Sequence, residues 1–155
     1  MLLLDTNPYF LDVAFNATVQ VVLNNMDGGE HPIHLHGHTF AIIGIGEGVY
    51  NESVDAAGLL SNASDTPPIR DTVSIPPLSW AVIRFAADNP GVWLIHCHID
   101  WHLANGLGAT FIEHATIVQQ TTTIPRDVLS LCNSDPSEAY CNLWSRRHRY
   151  TRQRG

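Results

Sequence analysis

The 155-residue chain has no lysine, only three cysteines, only two methionines and no long uninterrupted apolar run. Each shortage excludes something. A helix needs roughly 18 apolar residues to cross a bilayer, so no membrane span is expected. Three cysteines cannot build the dense framework of a small disulfide-stapled domain. The fold must rest on an ordinary core, for which 45% hydrophobic residues suffice. Basic charge is scarce too: residues 1–145 carry three arginines against fifteen carboxylates, hence −12. The other five arginines (Arg146, Arg147, Arg149, Arg152 and Arg154) crowd the last ten residues. An acidic body repels phosphate backbones, so nucleic acid is not an expected partner. The basic end reads as a disordered terminus.

The length fits one domain. Segments 11–23 (as 11–15, then 18–23), 39–46, 72–75, 80–86, 91–98 and 107–118 are rich in Val, Ile, Thr, Phe and Trp and read as strands. Turn signals separate them: Asn24 to Gly29, Pro67-Pro68, Pro76-Pro77 and Asp88-Asn89-Pro90-Gly91. This punctuation predicts an all-β antiparallel sandwich or barrel. Residues 47–69 are polar and read as the longest surface loop, and Pro125–Leu131 as the start of a short helix. Three Asn-x-Ser/Thr triplets, at Asn16, Asn51 and Asn62, lean toward a secreted glycoprotein. Met1-Leu2-Leu3-Leu4-Asp5 has no basic stretch and no cleavage site, so no signal peptide is expected in this chain.

What the chain has in excess is histidine. Seven of nine fall in two groups, His31/His34/His36/His38 and His96/His98/His102. Neighbours on a strand point to opposite faces. In Trp93-Leu94-Ile95-His96-Cys97-His98, therefore, the two imidazoles project to one side and the thiol to the other. One short strand then touches two metal centres and links them as an electron path. His102, in a helical turn after the strand, folds back to the side of the sulfur. In the first group His34 and His36 share a face, while Pro32 keeps the chain extended so that His31 reaches elsewhere. Two imidazoles and one thiolate make a blue-copper site, and imidazole-only centres suit copper or iron that handles dioxygen. No methionine follows Cys97, and Leu107, ten residues on, has no donor atom. A copper there would be three-coordinate and of high potential. Zinc, the bland alternative, prefers four closed ligands at other spacings.

His31-Pro32-x-His34-x-His36-Gly37-His38 and His96-Cys97-His98-Ile99-Asp100-Trp101-His102-Leu103 resemble the two C-terminal copper signatures of the multicopper oxidases. Asp100 and Leu107 bring the likeness nearest to fungal laccases. The resemblance spans about residues 10–120. It implies a cupredoxin-like Greek-key sandwich over 1–120, with short helices after the ligand strand and near the C-terminus, and an extension over 121–155. It implies a type 1 copper on His31, Cys97 and His102, with Leu107 in the axial, non-coordinating position. Type 2 copper would lie on His34 and the type 3 pair on His36, His96 and His98; His38 matches the motif without being a ligand. Asp100 is the carboxylate expected to partner ligand imidazoles and supply protons. Arg70-Asp71 reads as structural, and His38, His114 and His148 as hydrogen-bonded or exposed.

The implied reaction is one-electron oxidation of phenols or aromatic amines coupled to reduction of dioxygen to water. It suits a secreted enzyme of lignin degradation. The family draws four more trinuclear-site histidines from its first domain, and only His114 and His148 are left over here. The chain is therefore expected to be the C-terminal domain or a fragment, completed by missing N-terminal cupredoxin domains or by another chain. Cys132 or Cys141 would pair with the missing first domain, or with each other. Two rivals remain. One is a single-domain type 1 electron carrier, which has no use for His34, His36, His96 and His98. The other is an iron or other metal oxidase, which would add acidic residues beside the type 1 histidines. Failure of the isolated piece to fold is a third outcome, because faces meant for other domains would be exposed.

Overall fold

The computed structural model describes residues 10–59 and 66–131, the last three through their backbone alone. The strands are β1 (Phe10–Val13), β2 (Thr18–Asn25), β3 (His31–Leu35), β4 (Phe40–Glu47), β5 (Ile69–Arg70), β6 (Thr72–Ile75), β7 (Ser79–Ala86), β8 (Gly91–Cys97) and β9 (Gly108–Glu113). They form two sheets, ordered β1-β9-β8-β3-β6 and β2-β7-β4-β5. All pairings are antiparallel except β1 with β9. This is the expected all-β sandwich.

Period-two patterning explains the packing. Along β3, His31, Ile33 and Leu35 are buried while Pro32 and His34 are half-buried on the opposite face. In the other sheet β7 lies between β2 and β4, and Ser79 to Ile83 are all buried. The main core joins Leu35, Phe40, Ile83, Ile95, Cys97 and Phe111. Each large apolar side chain buried there contributes about 1.5–3 kcal/mol before chain entropy is counted. The thiol of Cys97 is thus part of the core and fully shielded.

The two runs read within 11–23 form β1 and β2, and Asn16, at φ 59°, turns the chain between them. One strand expectation needs correction. The stretch 107–118 holds a strand only to Glu113. His114 adopts φ 50°, and the N–H groups of Ile117 and Val118 donate to its carbonyl at 2.9 and 3.3 Å. That opens helix α3 (Ala115–Thr121) in residues whose β-branching suggested a strand. The polar stretch 47–69 contains helix α1 (Glu52–Asp55), capped by Asn51, whose side chain accepts from Ser53 N–H at 3.0 Å, and a 3-10 turn at Ala56–Gly58. Helix α2 (Asp100–Ala104) follows the ligand strand, and α4 (Arg126–Leu131) occupies the expected C-terminal helix.

The chain divides into two compact units, residues 1–118 and 119–155. Among the described residues of the second, α4 is a short helix with Asp127 in its first turn. No helix among the described residues is long and apolar enough to cross a membrane. Met1–Asp5, the Asn62 triplet, Cys132, Cys141, His148 and the arginine-rich end lie outside the described residues.

Candidate metal centre

β3 and β8 are adjacent antiparallel strands in which Ile33 faces Cys97 and His34 faces His96. This register sorts the histidines. On the core side, Cys97 Sγ lies 3.7 Å from His31 Nδ1 and 3.5 Å from His102 Nδ1. A thiolate and an imidazole sharing one ion at 120° should sit about 3.8 Å apart, given metal–sulfur and metal–nitrogen bonds of roughly 2.3 and 2.05 Å. All three donor atoms lie within 4.8 Å of one another. His102 gets there through the turn that opens α2, where its N–H donates to Ile99 O at 3.0 Å. Leu107 completes the loop: its carbonyl accepts from Cys97 N–H at 3.0 Å, and its side chain lines the same hollow as His31.

The second group lies on the other side of β3 and β8. His36 Nε2 and His96 Nε2 are 3.0 Å apart. His34 has ring centroids 4.9, 5.8 and 6.1 Å from those of His36, His96 and His98. Two imidazole nitrogens facing each other so closely need a proton or a cation between them. His36 is held below the ordinary imidazole range, first by burial and then by His34, His96 and His98. The strand-alternation expectation therefore describes the geometry: Cys97 faces one group, and His96 and His98 face the other.

Hydrogen bonds set the tautomers. His31 Nε2–H donates to Asp27 Oδ2 at 3.1 Å, leaving the Nδ1 lone pair toward the sulfur. His96 Nδ1–H donates to Cys97 O at 2.9 Å, leaving Nε2 bare. His34 Nδ1–H donates to Asp71 O at 2.9 Å, with Thr72 Oγ1 at 3.0 Å. The Arg70-Asp71 segment, read as structural from the sequence, places Asp71 O against a site imidazole. Asp100 is exposed at the start of α2. His114 is half-buried, with Nδ1 shielded from solvent and no hydrogen-bond partner for it among the described residues.

Sequence reasoning missed three contributors. Asp27 lies in a turn whose shape could not be read beforehand. Asn25 fixes that turn: its buried amide donates to Gly29, Ile75 and Pro76 carbonyls at 2.7, 3.1 and 2.8 Å, and its Oδ1 accepts from Asp27 N–H at 2.9 Å. Gly28 N–H and His31 hold the Asp27 carboxyl below the usual carboxylate range. The third is Glu113, fully buried, whose Oε1 lies 3.1 Å from His38 Nε2. Its spacing from the histidine motifs gave no signal.

The donor set fits copper: one shielded thiol with two converging imidazole nitrogens, and a separate all-imidazole group. Residues 3–116 match the family model for multicopper oxidases. The iron transport multicopper oxidase FET3 of Gibberella zeae is 48% identical over 117 residues, covering 76% of this chain and 19% of that protein. The crystal structure of Fet3p, a multicopper oxidase that functions in iron import, aligns with TM-score 0.65 at 38% identity, over 84% of this chain and 26% of that one. A laccase from Botrytis aclada aligns with TM-score 0.63 at 32% identity, over 88% and 23%. The chain thus spans about a fifth of the curated relative's length and carries a cupredoxin-like fold. With both histidine signatures assembled on adjacent strands of that fold, the chain belongs to the multicopper oxidase family, whose cofactor is copper.

Proposed function

We propose that residues 1–120 are the C-terminal copper domain of a longer multicopper oxidase, with 121–155 as an extension, and that its electron donor is ferrous iron. Copper, when bound, supplies one-electron redox chemistry. His31, Cys97 and His102 would hold the type 1 ion beside the non-coordinating Leu107. His34 would hold type 2 copper, and His36, His96 and His98 part of the type 3 pair. Histidines from another domain or chain would complete that site, where dioxygen is reduced to water. Cys97 is bonded through the backbone to His96 and His98, so the two ligand groups are covalently linked. Asp100, exposed at the start of α2 two residues before His102, is assigned to proton delivery.

The observation that carries the choice of donor is Asp27. Its side chain is 63% exposed, yet one oxygen is bonded to a type 1 imidazole. A carboxylate is a hard oxygen ligand that attracts a divalent cation and favours its trivalent form. Placed on His31, it brings such a donor to the rim of the site. An acidic residue beside a type 1 histidine is the feature expected of a metal oxidase, and Asp27 supports that reading.

A laccase-type reading, oxidation of phenols or aromatic amines in lignin degradation, has one feature in its favour. A hollow of about 280 Å³ opens beside His31, lined by Leu23, Met26, Ile33, Ile75 and Leu107, and an aromatic ring would fit it. In either reading the parent enzyme acts outside the cell, and the exposed Asn16 and Asn51 are the glycan acceptors assigned within the described residues.

The test uses the copper-loaded chain and the bleaching of its blue thiolate band in stopped flow. Ferrous iron should bleach it faster than hydroquinone does, and Asp27→Ala should slow iron about tenfold or more while changing hydroquinone little. Faster bleaching by hydroquinone, with iron indifferent to Asp27, would establish the laccase-type reading instead. A chain that binds copper without a blue band would overturn the type 1 assignment.

A further inference from the structure

His36 differs from its neighbours in how it is held. His34 and His96 have their Nδ1 atoms tied to backbone carbonyls, and His31 has its Nε2 tied to Asp27. The Nδ1 of His36 makes no hydrogen bond among the described residues; the ring's inner edge is desolvated against His96, with the two Nε2 atoms 3.0 Å apart, while the residue as a whole is exposed. With no partner on Nδ1, its aim depends on its backbone.

That backbone is clamped on both sides. His36 N–H donates to Leu94 O at 2.9 Å. On the carbonyl side, His38 Nδ1–H donates to His36 O at 3.2 Å. The next residue, Gly37, has φ +72°, and Asn89 Nδ2–H donates to its carbonyl at 2.9 Å. Trp93 Nε1–H donates to Asn89 O at 2.7 Å. His38 itself is confined: its side chain is 3% exposed, and its ring lies 5.1 Å from Phe85 and 5.8 Å from Trp93, centroid to centroid. Behind it stands Glu113, on the core face of β9, with Oε1 3.1 Å from Nε2 though off the hydrogen-bond line.

We propose that His38 and Glu113 are positioning residues for His36: the buried carboxyl fixes the His38 ring, whose Nδ1–H fixes the His36 carbonyl and so the aim of the His36 imidazole. Burying a carboxyl inside a sheet is costly unless it is partnered. Since Nδ1 is spent as a donor to His36, the approach of Nε2 to Oε1 requires one proton between them, on the ring or on the carboxyl. That proton holds His38 in the tautomer the His36 carbonyl needs. Removing the carboxyl frees the ring to place its single proton on Nε2, which deprives His36 O of its donor. Outer partners of this kind typically change metal affinity 10–100-fold.

The inference rests on His36 being a metal ligand, and the test separates the two. The isotope-labelled chain is titrated with Zn²⁺, a diamagnetic stand-in for copper, and the histidine ring signals are followed by NMR. Wild type should show Nδ1–H on His38 before any metal is added. Glu113→Leu should weaken binding at the His34/His36/His96/His98 group about 10–100-fold and leave the Cys97 group unchanged. Glu113→Gln, whose amide can still donate to Nε2, should restore binding to near wild type.

Equal binding in all three chains, or equal weakening of both groups by Glu113→Leu, overturns the inference. If Glu113→Leu does not fold, the wild-type His38 tautomer decides: a ring protonated only on Nε2 overturns it. Zinc binding in wild type that leaves the His36 ring unmoved overturns the ligand assignment itself.

Discussion

Asp27 Oδ2 lies 3.1 Å from His31 Nε2, on the far side of the imidazole from the Cys97 sulfur. The contact sets the tautomer of His31 and leaves a mostly exposed carboxylate at the edge of the thiol site. What holds Asp27 there is Asn25, so the stability of one turn and the chemistry of the site depend on the same buried amide.

Asn25→Ala therefore should do two things. It strands three buried or half-buried carbonyls and should cost about 1–3 kcal/mol in urea unfolding. It should also release Asp27, and the His31 ring signals in NMR should show loss of the fixed Nε2–H.

Cys97→Ser should abolish the blue band of the copper-loaded chain while leaving the sandwich folded. The serine hydroxyl enters a fully buried site, so the apo chain should lose about 1–3 kcal/mol, read from its denaturant midpoint. Persistence of the band would refute Cys97 as the ligand.

Gly37→Ala should be damaging out of proportion to its size. Gly37 sits at φ +72°, and an added Cβ would lie 2.4 Å from the Trp93 ring. The left-handed backbone costs about 1–2 kcal/mol and the overlap about 1–3 more. Differential scanning calorimetry should show a clear fall in Tm.

Glu113 gives the fold a pH dependence of definite sign. Burial raises its carboxyl above the ordinary range, opposed by the charge of His38 and the Asn89 backbone N–H, with Asp88 adding to the rise. A carboxyl raised in the folded state favours folding most when protonated. Its contribution is fully present below the unfolded value of about 4.3 and is lost as pH climbs through the raised folded value. Unfolding free energy measured upward from pH 4 should fall more steeply in wild type than in Glu113→Gln.

The residues show what a sequence can carry. Alternation along His96-Cys97-His98 is a local property of any extended chain, and it sufficed to send the thiol one way and the imidazoles the other. The His31–Pro32 step and the turn after Ile99 are equally local, and both put their histidines where spacing placed them. Strand composition was enough for a sandwich. It failed at 115–118, because a left-handed His114 lets the chain turn into a helix despite its β-branched residues, and no neighbour in sequence announces that choice.

Asp27, Asn25 and Glu113 stayed invisible for a different reason. Each acts on a partner through space: Asn25 on Ile75 and Pro76, some fifty residues away, and Glu113 on His38, 75 residues away. The sequence by itself determined which atoms can bind a metal and how they divide into two groups, because ligand chemistry and strand alternation depend only on residue type and near spacing. Only the tertiary structure decided which carboxylates stand behind those ligands, since that depends on strand pairing, and a hydrogen bond acts over about 3 Å whatever the distance along the chain.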